Sequence, residues 1–508
     1  MTTKNHLFCA FHAAIPDRGK PLVFHPDGAR ETYGDALALS ARLAHLLVAR
    51  GVKPGDRVAV QVEKSWTALA LYLAAVRAGA IYLPLNTAYT LAEVDYFLTD
   101  AEPTLVVARP EVEADMRALA ARHGGCKVDT LDAAGQGTLT QDLARLPDTF
   151  DDVPRGPDDL AGILYTSGTT GRAKGAMLSH ENLLSNALTL RDYWRFTEAD
   201  VLIHALPIFH THGLFVASNI VLLAGASMIL CPKFDPREAL GLMNRATCLM
   251  GVPTFYTRLL DQPGLTAQAT AHMRLFISGS APLLAETHKA FRARTGQAIL
   301  ERYGMTETGM NTSNPYDGDR RAGTVGFPLP GIDLRVCHPE TGAVLGADEI
   351  GMIEVKGPNV SKGYWRMPEK TAAEFHDGFF ITGDLGKVDP DGYVHIVGRG
   401  KDLVITGGFN VYPKEVEGEI DTIAGVLESA VIGVPHTDFG EGVTAIVVRE
   451  TGAGLTEEEV LGALEDRLAS FKRPKRVFFV DELPRNTMGK VQKNVLRETY
   501  KGTYTKSR

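Results

Sequence analysis

Between residues 166 and 175 the chain reads Thr-Ser-Gly-Thr-Thr-Gly-Arg-Ala-Lys-Gly, so three threonines, one serine, three glycines and one lysine fall within ten positions. Such a run suits phosphate oxygens. Glycines let backbone N–H groups close in, while hydroxyls and the Lys174 ammonium add donors. The apolar run Ile163-Leu164-Tyr165 precedes it, and the pattern predicts a strand before the loop and a helix after it. The P-loop pattern fails, because Ala173 precedes Lys174 and Gly175 follows it. Phosphate binding of another kind than that of P-loop NTPases is therefore expected. A plain surface turn is the competing reading, and so many donors beside an apolar strand argue against it.

Four further segments, in order along the chain, join this loop in a resemblance to the adenylate-forming enzymes. That superfamily includes acyl-CoA synthetases, peptide-synthetase adenylation domains and beetle luciferases. Tyr303-Gly304-Met305-Thr306-Glu307-Thr308 resembles the YGxTE element, Thr382-Gly383-Asp384 the TGD element, and Gly398-Arg399-Gly400-Lys401-Asp402 the hinge. Lys490, in Pro484-Arg485-Asn486-Thr487-Met488-Gly489-Lys490, matches the lysine near the C-terminus. The hinge departs from the commoner aspartate by carrying Lys401.

The resemblance implies an α/β fold. A large N-terminal domain (1–398) of helix-covered, mostly parallel sheets would carry a β-rich subdomain from about residue 320. A hinge (399–402) would join it to a mobile α+β C-terminal domain (403–508) bearing the catalytic lysine. ATP, Mg²⁺ and coenzyme A are implied as cosubstrates and cofactor. ATP and its AMP moiety would meet Thr166, Ser167, Gly168, Thr169, Thr170, Gly171 and Lys174, then Ser280, Ala281 and Pro282. Glu301, Arg302, Tyr303, Gly304, Met305 and Thr306 would follow, with Asp384 and Arg399 at the ribose. Attack of a carboxylate on the α-phosphorus places extra negative charge on phosphate oxygens, so cations and oriented donors must gather there. Lys490 is the implied cation, and Glu307 with Thr166 the implied Mg²⁺ site. Gly407, Gly408 and Phe409 match the part that meets the pantetheine arm of coenzyme A, and Lys472 and Arg473 offer charge for its phosphates.

Over its length the chain is most similar to the bacterial malonyl-CoA synthetases of that superfamily. The acid pocket is implied around the segment after Pro207, the start of the helix at Val252-Pro253-Thr254, and the turn Ser278-Gly279-Ser280. His210, His212, Ser278 and Met305 would line it. The His210 and His212 pair, with His204 nearby, lacks a third ligand at recognisable spacing, which disfavours zinc. Arg258 lies one helical turn after Thr254, so both can share a face, and a guanidinium there would bind a second carboxylate in a fork. The implied reaction ligates malonate, with methylmalonate secondary, to coenzyme A through an acyl-AMP, releasing AMP and pyrophosphate. Two alternatives stay open: a synthetase for another small or aromatic acid, and a non-catalytic acyl-adenylate binding protein. A lysine acetyltransferase or deacetylase acting on Lys490 is a further implied partner.

The elements that would position these residues are legible in outline. Short apolar runs at Gly162 to Tyr165, Val201 to Leu206, Ser227 to Leu230, Thr247 to Gly251 and Arg274 to Ser278 alternate with helical stretches. That is the pattern of a parallel sheet covered by helices. Ser179 is the expected N-cap of a helix running to Tyr193. After about residue 320, alternating strands and the turn Asp389-Pro390-Asp391-Gly392 indicate a β-rich part. Helix Pro413 to Ile420, strands Ser429 to Val434 and Val443 to Val448, helix Glu457 to Ser470 and strand Val477 to Val480 form the small α+β unit.

At 508 residues the chain should hold at least two domains, and its net charge of -8 supplies no basic field for nucleic acid. The uncharged run Gly213 to Pro232 is long enough to span a bilayer, yet Ser218, Asn219, Gly225 and Ser227 break it. It reads as a buried helix followed by a buried strand. Five scattered cysteines without a CxxC pair and no targeting segment point to a cytoplasmic protein.

Overall fold

In a computed structural model the described residues are 4–166, 173–406, 409–436, 438–486 and 489–504. They group into two compact units, Met1–Asp333 with Lys356–Phe380, and Leu334–Val355 with Ile381–Arg508.

The first unit is built on two helix-covered sheets. One runs in the order Lys127–Thr130, Leu105–Ala108, Arg57–Gln61, Ile81–Pro84, Leu160–Thr166, Lys174–Ser179. All its pairs are parallel except the last, where Leu160–Thr166 turns back on Lys174–Ser179. The other places Leu300–Met305, Leu275–Ser278, Cys248–Gly251, Val201–His204, Ser227–Leu230 and Pro21–Phe24 side by side and parallel. Strands buried on both faces read as unbroken apolar runs, as Leu249, Phe276, Ile203 and Ile229 do in its core.

Two expectations need correction here. Leu160–Thr166 does not share a sheet with the four strands that follow it from Val201; Gly162 pairs with Tyr82 of the first sheet instead. Nor does the phosphate-type loop run straight into a helix. Lys174 pairs back on Thr166 and Gly175 on Tyr165, so the loop joins two antiparallel strands, and the helix starts only at His180 with Ser179 as its cap. Gly175 permits the pairing, since a Cβ there would come within 2.9 Å of Ile163.

The uncharged run is buried from 213 to 231 except for the half-buried Ala224, and contains a wide turn that its composition conceals. His212–Ser218 is π-helical, Asn219–Ala224 α-helical, and Ser227–Leu230 a strand. Among the described residues no helix is long and apolar enough to cross a membrane.

The second unit has one sheet containing Asp333–Cys337, Gly351–Lys356, Phe379–Val388 and Val394–Arg399. A second joins Phe409–Val411, Val404–Thr406, Gly440–Arg449 and Val426–His436, with Arg476–Val480 parallel to Gly440–Arg449. The helices Pro413–Ile420 and Glu457–Ala463 cover one face of this sheet through Val416, Ile420 and Val460, with Leu464 just after the second helix. Leu496, from the helix Lys493–Tyr500, packs against Ile432 and Ile446 on the other. Glu457–Ala463 is shorter than the expected helix, ending seven residues before Ser470.

Candidate active site

The segment Leu300–Met305 forms a hairpin with Gly309–Ser313 whose tip carries Glu307. Gly304 is needed for the close crossing, because a Cβ there would lie 2.1 Å from the Gly309 carbonyl oxygen. Glu307 is buried, 5% exposed. Its Oε1 accepts a hydrogen bond from the Tyr364 hydroxyl at 3.0 Å and stands 3.4 Å from the Thr166 hydroxyl. The structure thus brings Thr166 and Glu307 together across 141 residues of sequence. Lys174 lies beside them, its ammonium 4.1 Å from the centre of the Tyr364 ring and 3.4 Å from Glu374. Ser167, Gly168, Thr169, Thr170 and Gly171 lie outside the described residues.

Side chains alternate along a strand, so Arg302 leaves the hairpin on the face opposite Glu301 and Tyr303. Glu301 turns to the Leu283 backbone N–H, which donates to its Oε1 at 3.2 Å, beside Ala281 and Pro282. Tyr303, Met305 and Thr306 are half-buried along the hairpin. Arg302 is 3% exposed, and among the described residues its Nε and Nη2 have no hydrogen-bond partner. Gly279 makes room for it, since a Cβ at that position would sit 2.3 Å from the guanidinium carbon.

Around this cation gather the residues expected at the acid. Burial, and then the Arg302 charge, push His210 down to about 4 and His212 well below the usual imidazole range. Both rings are therefore neutral at pH 7. His212 Nδ1 is 3.2 Å from the Ser280 hydroxyl, and Ser280 is held in the left-handed region at φ 70°. A non-glycine residue there stores strain of the kind found at ligand sites. His212 Nε2 and the Ser278 hydroxyl are buried without a partner among the described residues. Burial also lowers the pKa of Arg302 itself, the mark of a cation short of solvation.

Arg258, expected to be the pocket cation, is exposed on the helix Pro253–Leu260. The buried guanidinium is Arg302, which sequence reading had grouped with the nucleotide residues. Strand alternation was the signal that separates it from Tyr303. Tyr256, one residue face away from Arg258, is fully buried; its hydroxyl donates to the Ile277 carbonyl, and the Arg302 charge reaches its ring. Neither Tyr256 nor Tyr364 was selected from the sequence.

In the second unit Asp384 is 5% exposed and faces Arg399, with 2.9 Å between Oδ1 and Nε. Strand pairing sets them opposite each other. Lys490, half-buried, is close enough to feel the same pair and Lys401; burial first, then the Arg399 charge, lower it to about 8 while Asp384 opposes. Lys401 is in a short 3₁₀ turn, Gly400–Asp402, and burial lowers its pKa too. Phe409 is 54% exposed and stacks on Phe471 at 4.6 Å. Lys472 is already paired with Glu415 at 2.5 Å, and Arg473 is half-buried. Gly407 and Gly408 lie outside the described residues.

The model of the AMP-binding enzyme family matches residues 12–365, and that of the AMP-binding enzyme C-terminal domain matches 415–490. ATP-bound MatB from Rhodopseudomonas palustris is 65% identical in sequence, with a TM-score of 0.97 over 99% of this chain and 100% of that one. A malonate–CoA ligase of Arabidopsis thaliana is 32% identical over 97% of this chain and 90% of its own length. A feruloyl-CoA synthase of Amycolatopsis is 37% identical over 93% of this chain and 94% of its own length.

Proposed function

The chain belongs to the AMP-binding enzyme family, and from that premise we propose that it joins malonate to coenzyme A through malonyl-AMP, with methylmalonate as a secondary acid. The class, an AMP-forming acyl-CoA ligase, follows from the family and from full-length likeness to CoA ligases. The acid rests on one observation above the others: a buried guanidinium, Arg302, whose Nε and Nη2 are unpaired among the described residues, with Gly279 against it and His210 and His212 within reach of its charge. A buried charge without a partner is costly, and a ligand carboxylate would relieve it. One carboxylate of malonate would sit on Arg302, leaving the other to attack phosphorus. Arg258 is assigned to the pocket mouth as a second, weaker attraction.

Hydroxyl Thr166 and carboxylate Glu307, 3.4 Å apart, are hard oxygen donors that fit Mg²⁺, which takes one carboxylate, substrate phosphates and waters. When bound it supplies charge neutralisation at those phosphates. Tyr364 fixes the orientation of Glu307. Asp384 is assigned to the ribose hydroxyls, with Arg399 holding its carboxylate, and Tyr303 to the adenine face. Lys490 is assigned to the α-phosphate oxygens, where its cation opposes the charge that develops during attack. The hinge reading, in which rotation near Lys401 exchanges Lys490 for the coenzyme A residues around Phe409, Lys472 and Arg473, belongs to the same proposal. Acylation of Lys490 would remove its cation and stop the first step alone.

A panel of acids with purified enzyme, ATP and coenzyme A tests the reading. Malonate should give AMP release at a kcat/KM at least about 10³-fold above acetate and benzoate, because those acids leave Arg302 unpaired. Strong turnover of acetate or benzoate with none of malonate would reject the acid assignment and leave the ligase class standing.

A further inference from the structure

Lys64 is a buried lysine just after the strand Arg57–Gln61, far in sequence from every site residue named above. It is 8% exposed, and its ammonium has no carboxylate partner among the contacts of the described residues. Its three donors are all used. Nζ donates to the His204 ring at Nδ1 (2.9 Å), to the His204 carbonyl (2.6 Å) and to the Leu206 carbonyl (2.9 Å). Burial lowers the Lys64 pKa to about 7. The Gly213 carbonyl can only accept, so Nε2 of His204 carries the proton and Nδ1 the lone pair that faces Nζ. Nε2 then donates to the Gly213 carbonyl at 2.9 Å, with the Ser218 hydroxyl at 3.1 Å. Burial, followed by the Lys64 charge, keeps that imidazole neutral.

Gly213 and Ser218 both belong to the π-helix His212–Ser218, and the loop from Leu206 carries His210 into it. A π-turn leaves carbonyl groups poorly matched within the helix, and such turns concentrate at functional sites. Here the Gly213 carbonyl is taken by His204 and Ser218 instead. Gly213 is pressed against the Pro207 carbonyl, where a Cβ would stand 2.0 Å away. The loop is thereby gripped at both ends: Lys64 holds the carbonyls of 204 and 206, and His204 holds the turn after His212.

We propose that Lys64 is a positioning residue for the acid substrate: acting through His204, it fixes the π-turn that presents His210 and His212 beside Arg302. The proposal rests on the acid-pocket reading given above. It accounts for a burial that is otherwise expensive, because a lysine shut away from water is retained where its charge-assisted hydrogen bonds set a geometry. Lys64 touches neither substrate nor phosphate in this scheme, so its effect should fall on acid recognition.

The test compares wild type with Lys64→Met, His204→Leu and the double variant, reading malonate KM, ATP KM, kcat and thermal midpoint. The expected result is a rise in malonate KM of about tenfold or more in each single variant, with ATP KM within about twofold. The double variant should be no worse than the worse single one, since both break one chain of contacts. An unchanged malonate KM in soluble enzyme, whatever happens to the midpoint, overturns the proposal; so does an equal rise in malonate and ATP KM. If Lys64→Met does not fold, His204→Gln decides, because it keeps the bulk while weakening the linkage, and an unaltered malonate KM there counts against Lys64. Failure of the acid reading shows differently: wild type itself would not use malonate, and the same variants are then read with the acid it does use.

Discussion

Arg302 in the first unit and Lys490 in the second are both cations that burial strips of water, yet they are kept in different ways. Arg302 lies 3% exposed on a sheet strand, walled by Gly279 and neutral histidines, with unpaired N–H groups among the described residues. Lys490 is half-buried in a polar turn, its backbone N–H on the Asn486 side chain and the Asp384 and Arg399 pair close by. A rigid strand suits recognition of a charge that is always present in the substrate. A lysine on a turn suits charge that appears only in the transition state. Burial leaves the guanidinium with a pKa of about 9, above the value of about 8 at Lys490, so the arginine keeps its charge to higher pH.

Removing each cation should therefore damage a different step. Lys490→Ala should cut malonyl-AMP formation by about 10³-fold. Transfer to coenzyme A from supplied malonyl-AMP should survive, as single-turnover assays of the two halves would show. Equal loss in both would erase the distinction between a transition-state cation and a general structural one. Arg302→Met should raise malonate KM by roughly 100-fold with ATP KM little changed, since a carboxylate would lose its buried partner. A parallel rise in ATP KM would return Arg302 to the nucleotide.

pH sharpens the same contrast. A lysine works as a cation below its pKa, and Lys490 is pushed down to about 8. The kcat/KM for ATP, which reports the free enzyme, should then fall about tenfold per unit once pH passes that value. Malonate KM should stay level between about pH 6 and 8 and rise only as pH nears about 9, the value to which burial lowers Arg302. A malonate KM that rises along the same limb would show the two sites to be one titrating system. The smallest effect is expected from Arg258→Ala, roughly threefold in malonate KM, because an exposed charge is screened. A larger loss than that of Arg302→Met would place the second carboxylate at the rim.

Local structure was legible where local rules decide it. Ser179 caps its helix, Ser227–Leu230 is a strand and Pro413–Ile420 a helix, all at the expected positions. Alternation and capping act within a few residues, so the sequence carries them openly. The loop after Thr166 was misread because strand Lys174–Ser179 is short and contains Gly175, whose role depends on Ile163 across the hairpin. Leu160–Thr166 was assigned to the wrong sheet because apolar runs do not state their neighbours.

The order of motifs along the chain was enough to specify an adenylate-forming ligase, since each motif is a local arrangement of donors, glycines and charge. Which arginine is buried was decided only in three dimensions. Arg258 and Arg302 are equivalent as residue types, and burial, strand direction and the space at Gly279 separate them. Lys64 and His204 are 140 positions apart, and nothing in either neighbourhood announces the other. Their partnership arises because two sheets bring distant strand ends together, and a desolvated ammonium must then find its acceptors wherever packing has left them.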